Sequence, residues 1–203
     1  MKPLVFYEGG SWLIWTANEA EILLRDAGIM GMPTMSSPFY PRQMKELCLP
    51  IEITSIEAKW CHENGFCNIY KPVFPKEIKN IPEIGNNTEK VNHTHIDSEF
   101  ELVEADIPVI SDIKYKSYCK LREMGLFILD GSAYGCDYAI YQNEPWKCHA
   151  FSLLFCLEGN LESRKLIQLS RIADSSKKSL LLSSFYEDSI RFMKFSRFKP
   201  TNE

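Results

Sequence analysis

Three features of this 203-residue chain predict an α/β fold. Short apolar runs of strand length alternate with stretches whose apolar residues recur every three or four positions. Helix-capping residues and glycines stand at the borders of those stretches. A polar interval punctuated by proline separates two sets of such elements. The chain accordingly divides into an α+β N-terminal module over 1–70, a polar linker or long loop over 71–107, and a second α/β domain over 108–203.

In the first module, Leu4 to Tyr7 is a short apolar strand closed by Gly9-Gly10, and Trp12 to Trp15 is its expected hairpin partner. Glycine supplies the positive φ that such a tight turn needs. Thr16 or Asn18 caps a helix from about Glu19 to Ala27, whose Ala20, Leu23, Leu24 and Ala27 form one apolar stripe. Gly28 stops it. Pro33, Pro38 and Pro41 make the next stretch extended and irregular. Thr54, with Glu57 three residues on, is a capping box opening a helix to about Glu63, which Gly65 terminates. From about Lys71 the apolar periodicity stops. Pro72, Pro75 and Pro82 precede a run through Gly85, Asn86 and Asn87 to His93 and His95, the composition of a loop.

Order resumes near Pro108. Ser111 or Asp112 caps a helix from Ile113 to Met124, with Tyr118 and Leu121 inward and Gly125 as its stop. Leu126 to Leu129 is a strand, and Asp130-Gly131 is a tight-hairpin signal. Strands follow around Asp137 to Tyr141 and over Ala150 to Leu157. Glu162 to Ala173 is helical, with Leu166, Leu169, Ile172 and Ala173 on one face. Leu180 to Phe185 and Ile190 to Phe198 close the chain as a hairpin around Glu187-Asp188. The order is α-β-β-β-α-β-β.

Bulk properties narrow the function. Hydrophobic residues make up 45% and charged residues 25%, an ordinary globular balance. A net charge of −4 supplies no global basic field for nucleic acid, so an RNA role calls for a local patch or a basic partner. The seven cysteines lack paired spacing, and no secretory signal is evident, which points to reduced thiols in the cytosol or nucleus. The sequons at Asn86 and Asn92 then read as chance matches. No apolar run is long enough to cross a membrane as a helix. Cys61, His62, Cys67, His93 and His95 are candidates for a structural zinc site, but Cys61 to Cys67 lacks the usual two-to-four-residue gap and the His pair lies in the polar loop.

Tyr141, His149 and Lys178 each border an apolar run, where side chains project from a rigid sheet and active sites are built. Singly, each has an ordinary role: a rim aromatic, a hydrogen-bonded histidine, a solvated lysine beside a helix C-terminus. Their context is more specific. Leu121-Arg122-Glu123-Met124-Gly125, Tyr134-Gly135-Cys136-Asp137-Tyr138, Tyr141, Pro145, His149-Ala150 and Arg171-Ile172-Ala173-Asp174-Ser175-Ser176-Lys177-Lys178 together resemble the catalytic domain of the tRNA-intron endonuclease family. Gly9-Gly10 before Trp15, Gly28-Ile29-Met30-Gly31, Pro41-Arg42-Gln43 and Leu49-Pro50 resemble the N-terminal region of the eukaryotic catalytic subunit that cleaves the 3′ splice site.

The resemblance implies a domain with a central mixed sheet and a metal-independent, lyase-type cleavage of intron-containing pre-tRNA, with no cofactor. The RNA's own 2′-hydroxyl attacks, leaving a 2′,3′-cyclic phosphate and a 5′-hydroxyl. It also implies the roles: Tyr141 as base, His149 as acid, and Lys178, chosen over Lys177 by its place before the Leu-rich strand, as the cation on the phosphorane. Histidine suits acid work because its pKa of about 6.5 leaves both forms accessible near neutrality. Tyrosine, at about 10, suits base work only if a neighbour such as Lys178 lowers that value; otherwise Tyr141 orients the nucleophile. Further implications are a second catalytic subunit and two structural subunits as partners, docking on the terminal strand 190–198, and a nuclear location with cytoplasmic or organelle-surface pools. The alternative is a non-catalytic structural subunit of the same assembly. Arg164 and Arg171 are surface salt-bridging residues or phosphate contacts, and Pro41-Arg42-Gln43 is a structural corner or a contact to tRNA or a partner subunit.

Overall fold

The computed structural model describes residues 2–34, 49–73, 101–187 and 189–196. β1 (Leu4–Glu8) and β2 (Ser11–Ile14) form the hairpin expected at the N-terminus, in register Phe6↔Leu13. Gly9 and Gly10, at φ 60° and 94°, supply the left-handed turn. Thr16, not Asn18, caps α1 (Ala17–Ala27), its side chain accepting from the Glu19 amide, and Gly28 ends the helix in the left-handed region. β3 (Met32–Pro33) and β4 (Ile51–Ile53) follow. α2 (Ser55–Glu63) opens on the capping box, Thr54 and Glu57 bonding each other's backbone amides.

β5 (Asn68–Val73) and β6 (Glu101–Glu104) correct the boundary of the interval taken as loop. They pair antiparallel from Tyr70↔Glu104 to Val73↔Glu101, so both ends of the 71–107 stretch are strand. β6 lies at the edge of its sheet, where a short polar-flanked strand is tolerated; this is why composition alone hid it. Residues 74–100, with both sequons, His93 and His95, lie outside the described residues, as do Pro38 and Pro41-Arg42-Gln43. The N-terminal sheet has the order β3-β4-β2-β1-β5-β6.

The second half follows the expected order: α3 (Asp112–Glu123), β7 (Phe127–Asp130), β8 (Tyr138–Tyr141), β9 (Ser152–Cys156), α4 (Ser163–Ser175), β10 (Ser179–Tyr186) and β11 (Ser189–Phe195). Asp130-Gly131 is not the tight hairpin its composition signals. Gly131 has φ −96°, whereas a two-residue turn of that type needs positive φ. The Asp130 carboxylate instead accepts from the Ser132 amide at 3.3 Å and from the Ser132 hydroxyl, and a 3-10 turn over Ser132–Tyr134 widens the connection. Glycine is required at 131 for space, since a Cβ there would lie 2.7 Å from the Tyr138 nitrogen.

The second sheet is mixed, in the order β11-β10-β9-β8-β7, with β9 and β10 parallel and the other pairs antiparallel. One continuous core joins the two sheets. Val5, Trp12 and Ile69 from the first, Tyr118 and Leu121 from α3, and Ile140 and Leu154 from the second all belong to it. Arg122 fastens the junction. Its guanidinium lies 4.7 Å from the Trp60 ring and donates to the Leu126 carbonyl at 3.2 Å and to the Ala27 carbonyl at the C-terminal end of α1. A smaller cluster, around Ala139, Leu153, Leu169, Ala173 and Leu180, packs α4 on the opposite face of the second sheet.

Candidate active site

The topology of the second sheet brings three strand ends together. β8 runs antiparallel to β9, and β9 runs parallel to β10. The C-terminal end of β8 therefore meets the N-terminal ends of β9 and β10. Ile140, Ser152 and Ser179 form one cross-sheet row there, and the next rung is tied by Phe151 N donating to Ile140 O at 3.0 Å and Ser179 N to Phe151 O at 3.0 Å. Tyr141 lies one residue past this row, Lys178 one residue before it, and His149 two residues before Phe151. The buried Ser152 hydroxyl donates to the Ser179 carbonyl at 2.9 Å and fixes β9 to β10 beneath the site.

Each side chain has a distinct setting. Tyr141 is half-buried against the α4-side cluster, on the same face as Ala139 by strand alternation. His149 is exposed, on the connection between β8 and β9. That connection is anchored by the buried Pro145 and Ala150, by the Cys148 thiol donating to the Asn143 carbonyl at 3.4 Å, and by a Lys147–Glu144 ion pair at 2.8 Å. Lys178 is half-buried. Its backbone amide donates to Ala173 O at 2.9 Å, and its Nζ donates to Ser176 O at 3.1 Å. Lys177, the competing lysine, is exposed and stands at φ 56° in the turn that ends α4.

One electrostatic expectation is corrected. The Tyr141 phenol lies above its ordinary value, not below it. Burial is the main cause, followed by the neighbouring Tyr134 and Cys148. In the free chain, Tyr141 is a neutral phenol at physiological pH.

Tyr134 is a member of the site that sequence reasoning did not assign. It stands in the matched Tyr134-Gly135 motif, but only the fold shows its ring beneath the Lys178 ammonium, 5.1 Å from nitrogen to ring centroid. A turn aromatic and a lysine forty-four positions apart carry no pairing signal in the sequence.

The remaining candidates have other settings. Arg164 and Arg171 are exposed on α4. Cys61 and Cys67 are buried, and the neighbouring Cys67 thiol together with burial pushes Cys61 up. The His62 Nε2 lies 3.5 Å from a Glu104 carboxylate oxygen. Among the described residues, no three His, Cys, Asp or Glu side chains are grouped to hold a metal ion, and no helix is long and apolar enough to cross a membrane.

Comparison with known proteins bears on both halves. Residues 111–192 match the family model for the catalytic C-terminal domain of tRNA intron endonuclease, and residues 3–72 match that for a TSEN34-like N-terminal domain. The chain is similar to a tRNA-splicing endonuclease of Saccharolobus solfataricus, 27% identical over 177 residues that cover 86% of this chain and 85% of that protein. It is also similar to one of Saccharolobus islandicus strain L.S.2.15, 24% identical over 161 residues that cover 76% and 78% respectively.

Proposed function

Because this chain belongs to the tRNA-intron endonuclease family, we propose that it is a catalytic subunit of a tRNA-splicing endonuclease and cuts intron-containing pre-tRNA at the 3′ splice site. The observation that carries this reading is the convergence of Tyr141, His149 and Lys178 on one end of three adjacent strands, β8, β9 and β10. A non-catalytic subunit has no need for an acid, a hydroxyl and a cation at one sheet end.

Cleavage proceeds without metal. The 2′-hydroxyl oxygen attacks the adjacent phosphorus, and the bond from phosphorus to the 5′-oxygen breaks. A 2′,3′-cyclic phosphate and a 5′-hydroxyl result. His149 protonates the leaving 5′-oxygen, which its exposed position at the sheet end permits. The Lys178 ammonium stabilises charge on the phosphorane, where a fixed cation favours the transition state over the substrate. Tyr141, held as a neutral phenol, orients the 2′-hydroxyl for in-line attack rather than serving as a standing phenolate, and the 2′-hydroxyl proton passes to solvent water as the bond to phosphorus forms. The need for a 2′-hydroxyl makes the reaction specific to RNA.

The enzyme acts in an assembly with other subunits. β11 supports this: it is the last strand of its sheet, and Met193 and Phe195 are exposed while Ile190 and Phe192 pack inward. An edge strand with apolar side chains is a template for pairing with another chain.

The test is end-group analysis of pre-tRNA cut by the assembly purified through this full-length chain, with and without chelator, for the parent and for Lys178→Ala. Cyclic phosphate ends, chelator resistance and a loss of about 10²-fold or more at the 3′ site in the variant are expected. Full 3′ cleavage by Lys178→Ala would instead assign this chain a structural role.

A further inference from the structure

We propose that Tyr134 is a positioning residue of this site: its ring face holds the Lys178 ammonium at the sheet end where the phosphorane forms. The inference rests on the reading of Lys178 as the cation, and extends it to a residue that no motif assigns.

The geometry has two parts. The first is the grip on the ammonium. Lys178 Nζ lies 5.1 Å from the Tyr134 ring centroid and donates to Ser176 O at 3.1 Å. A ring within about 6 Å attracts a cation through the negative potential of its face. Ring and carbonyl together restrain a side chain that is otherwise among the most mobile in proteins. A pre-placed ammonium need not be ordered when the phosphate arrives.

The second part is the rigidity of the ring's own support. Tyr134 closes the 3-10 turn over Ser132–Tyr134, with Tyr134 N donating to Gly131 O at 2.9 Å and Gly135 N to Ser132 O at 2.8 Å. Cys136 N returns to the same Gly131 carbonyl at 3.2 Å, and the Asp130 carboxylate accepts from Ser132. Gly131 packs so closely on Tyr138 that no side chain fits there, which binds the turn to β8. The ring packs on the same cluster as Tyr141. The widened β7–β8 connection, unexplained by hairpin chemistry, thereby acquires a purpose.

Because the ring acts through Lys178, its removal costs less than loss of the lysine. Single-turnover cleavage at saturating pre-tRNA, by the assembly containing the full-length chain, is the measurement. Tyr134→Leu lowers the rate about 3–30-fold with substrate affinity unchanged, the range a cation–ring contact supports. Tyr134→Phe, which keeps the ring, restores most of that rate. In a Lys178→Ala background, Tyr134→Leu costs nothing further. Fluorinated phenylalanines at position 134 keep the shape and drain the ring face; the rate then falls with each added fluorine. A rate flat across the fluorine series, or an equal cost of Tyr134→Leu with and without Lys178, overturns the positioning role. Full activity of Lys178→Ala is a different failure, because it removes the lysine's own role on which the inference rests.

Discussion

The two sheets are made of the same kinds of element and share one core, yet they use their reactive side chains in opposite ways. In the N-terminal half, those groups are spent on the fold. Glu57 is buried and its carboxylate accepts from the Thr54 amide and hydroxyl. The Cys61 and Cys67 thiols are buried in the shared core. In the C-terminal half, Tyr141, the last residue of β8, and His149 and Lys178, which precede β9 and β10, stand half-buried or exposed. The difference teaches that reactive residue type is a poor guide to chemistry unless the topology leaves the group accessible. Parallel β9 beside antiparallel β8 does so, because it gathers one C-terminal and two N-terminal strand ends at one place.

If the sheets differ in use but share a core, damage on one side should be felt on both. Leu154→Ala removes a fully buried side chain of β9 from the shared cluster. It should cost about 2–5 kcal/mol of stability, with both halves unfolding in one transition. Chemical denaturation followed by hydrogen exchange would check this. Independent unfolding of residues 2–73 would break the picture of one core.

A smaller effect is expected where the N-terminal half spends its carboxylate. Glu57→Ala opens the capping box and should cost about 1–2 kcal/mol. Burial pushes the Glu57 pKa above the ordinary carboxylate range, although Thr54 opposes the shift. The folded chain therefore binds this proton more tightly than the unfolded chain. Stability from this group is highest below the unfolded value of about 4.3 and declines as pH rises from there toward the folded value. Glu57→Gln, which keeps an acceptor for the cap, should flatten that decline; thermal melts across pH would show it. An unchanged slope would contradict the assignment.

Much of this organisation is legible in the sequence where a local rule governs. The Thr54–Glu57 capping box, the Gly9-Gly10 hairpin and the stripe of α4 all act through neighbours a few residues away. What sequence reasoning misplaces depends on distant partners. β6 exists because β5 offers it a ladder, not because Glu101-Leu102-Val103-Glu104 favours a strand. Asp130-Gly131 fails as a tight turn because the Asp130 side chain finds Ser132 and the backbone of Tyr138 crowds Gly131. The order of strands that assembles the candidate site, and the Tyr134 ring under Lys178, follow from packing across the sheet. Family motifs located Tyr141, His149 and Lys178 without explaining why they meet. The sheet supplies that reason.

The contrast between spent and available groups is tested most directly by His149→Ala in the purified assembly, with cleavage at the two splice sites scored separately. His149 is exposed, so folding and assembly should be unaffected. Cleavage at the 3′ site should fall by about 10²–10⁴-fold while the 5′ site is cut at the parent rate. Unimpaired 3′ cleavage by that variant would contradict a catalytic role for this sheet end.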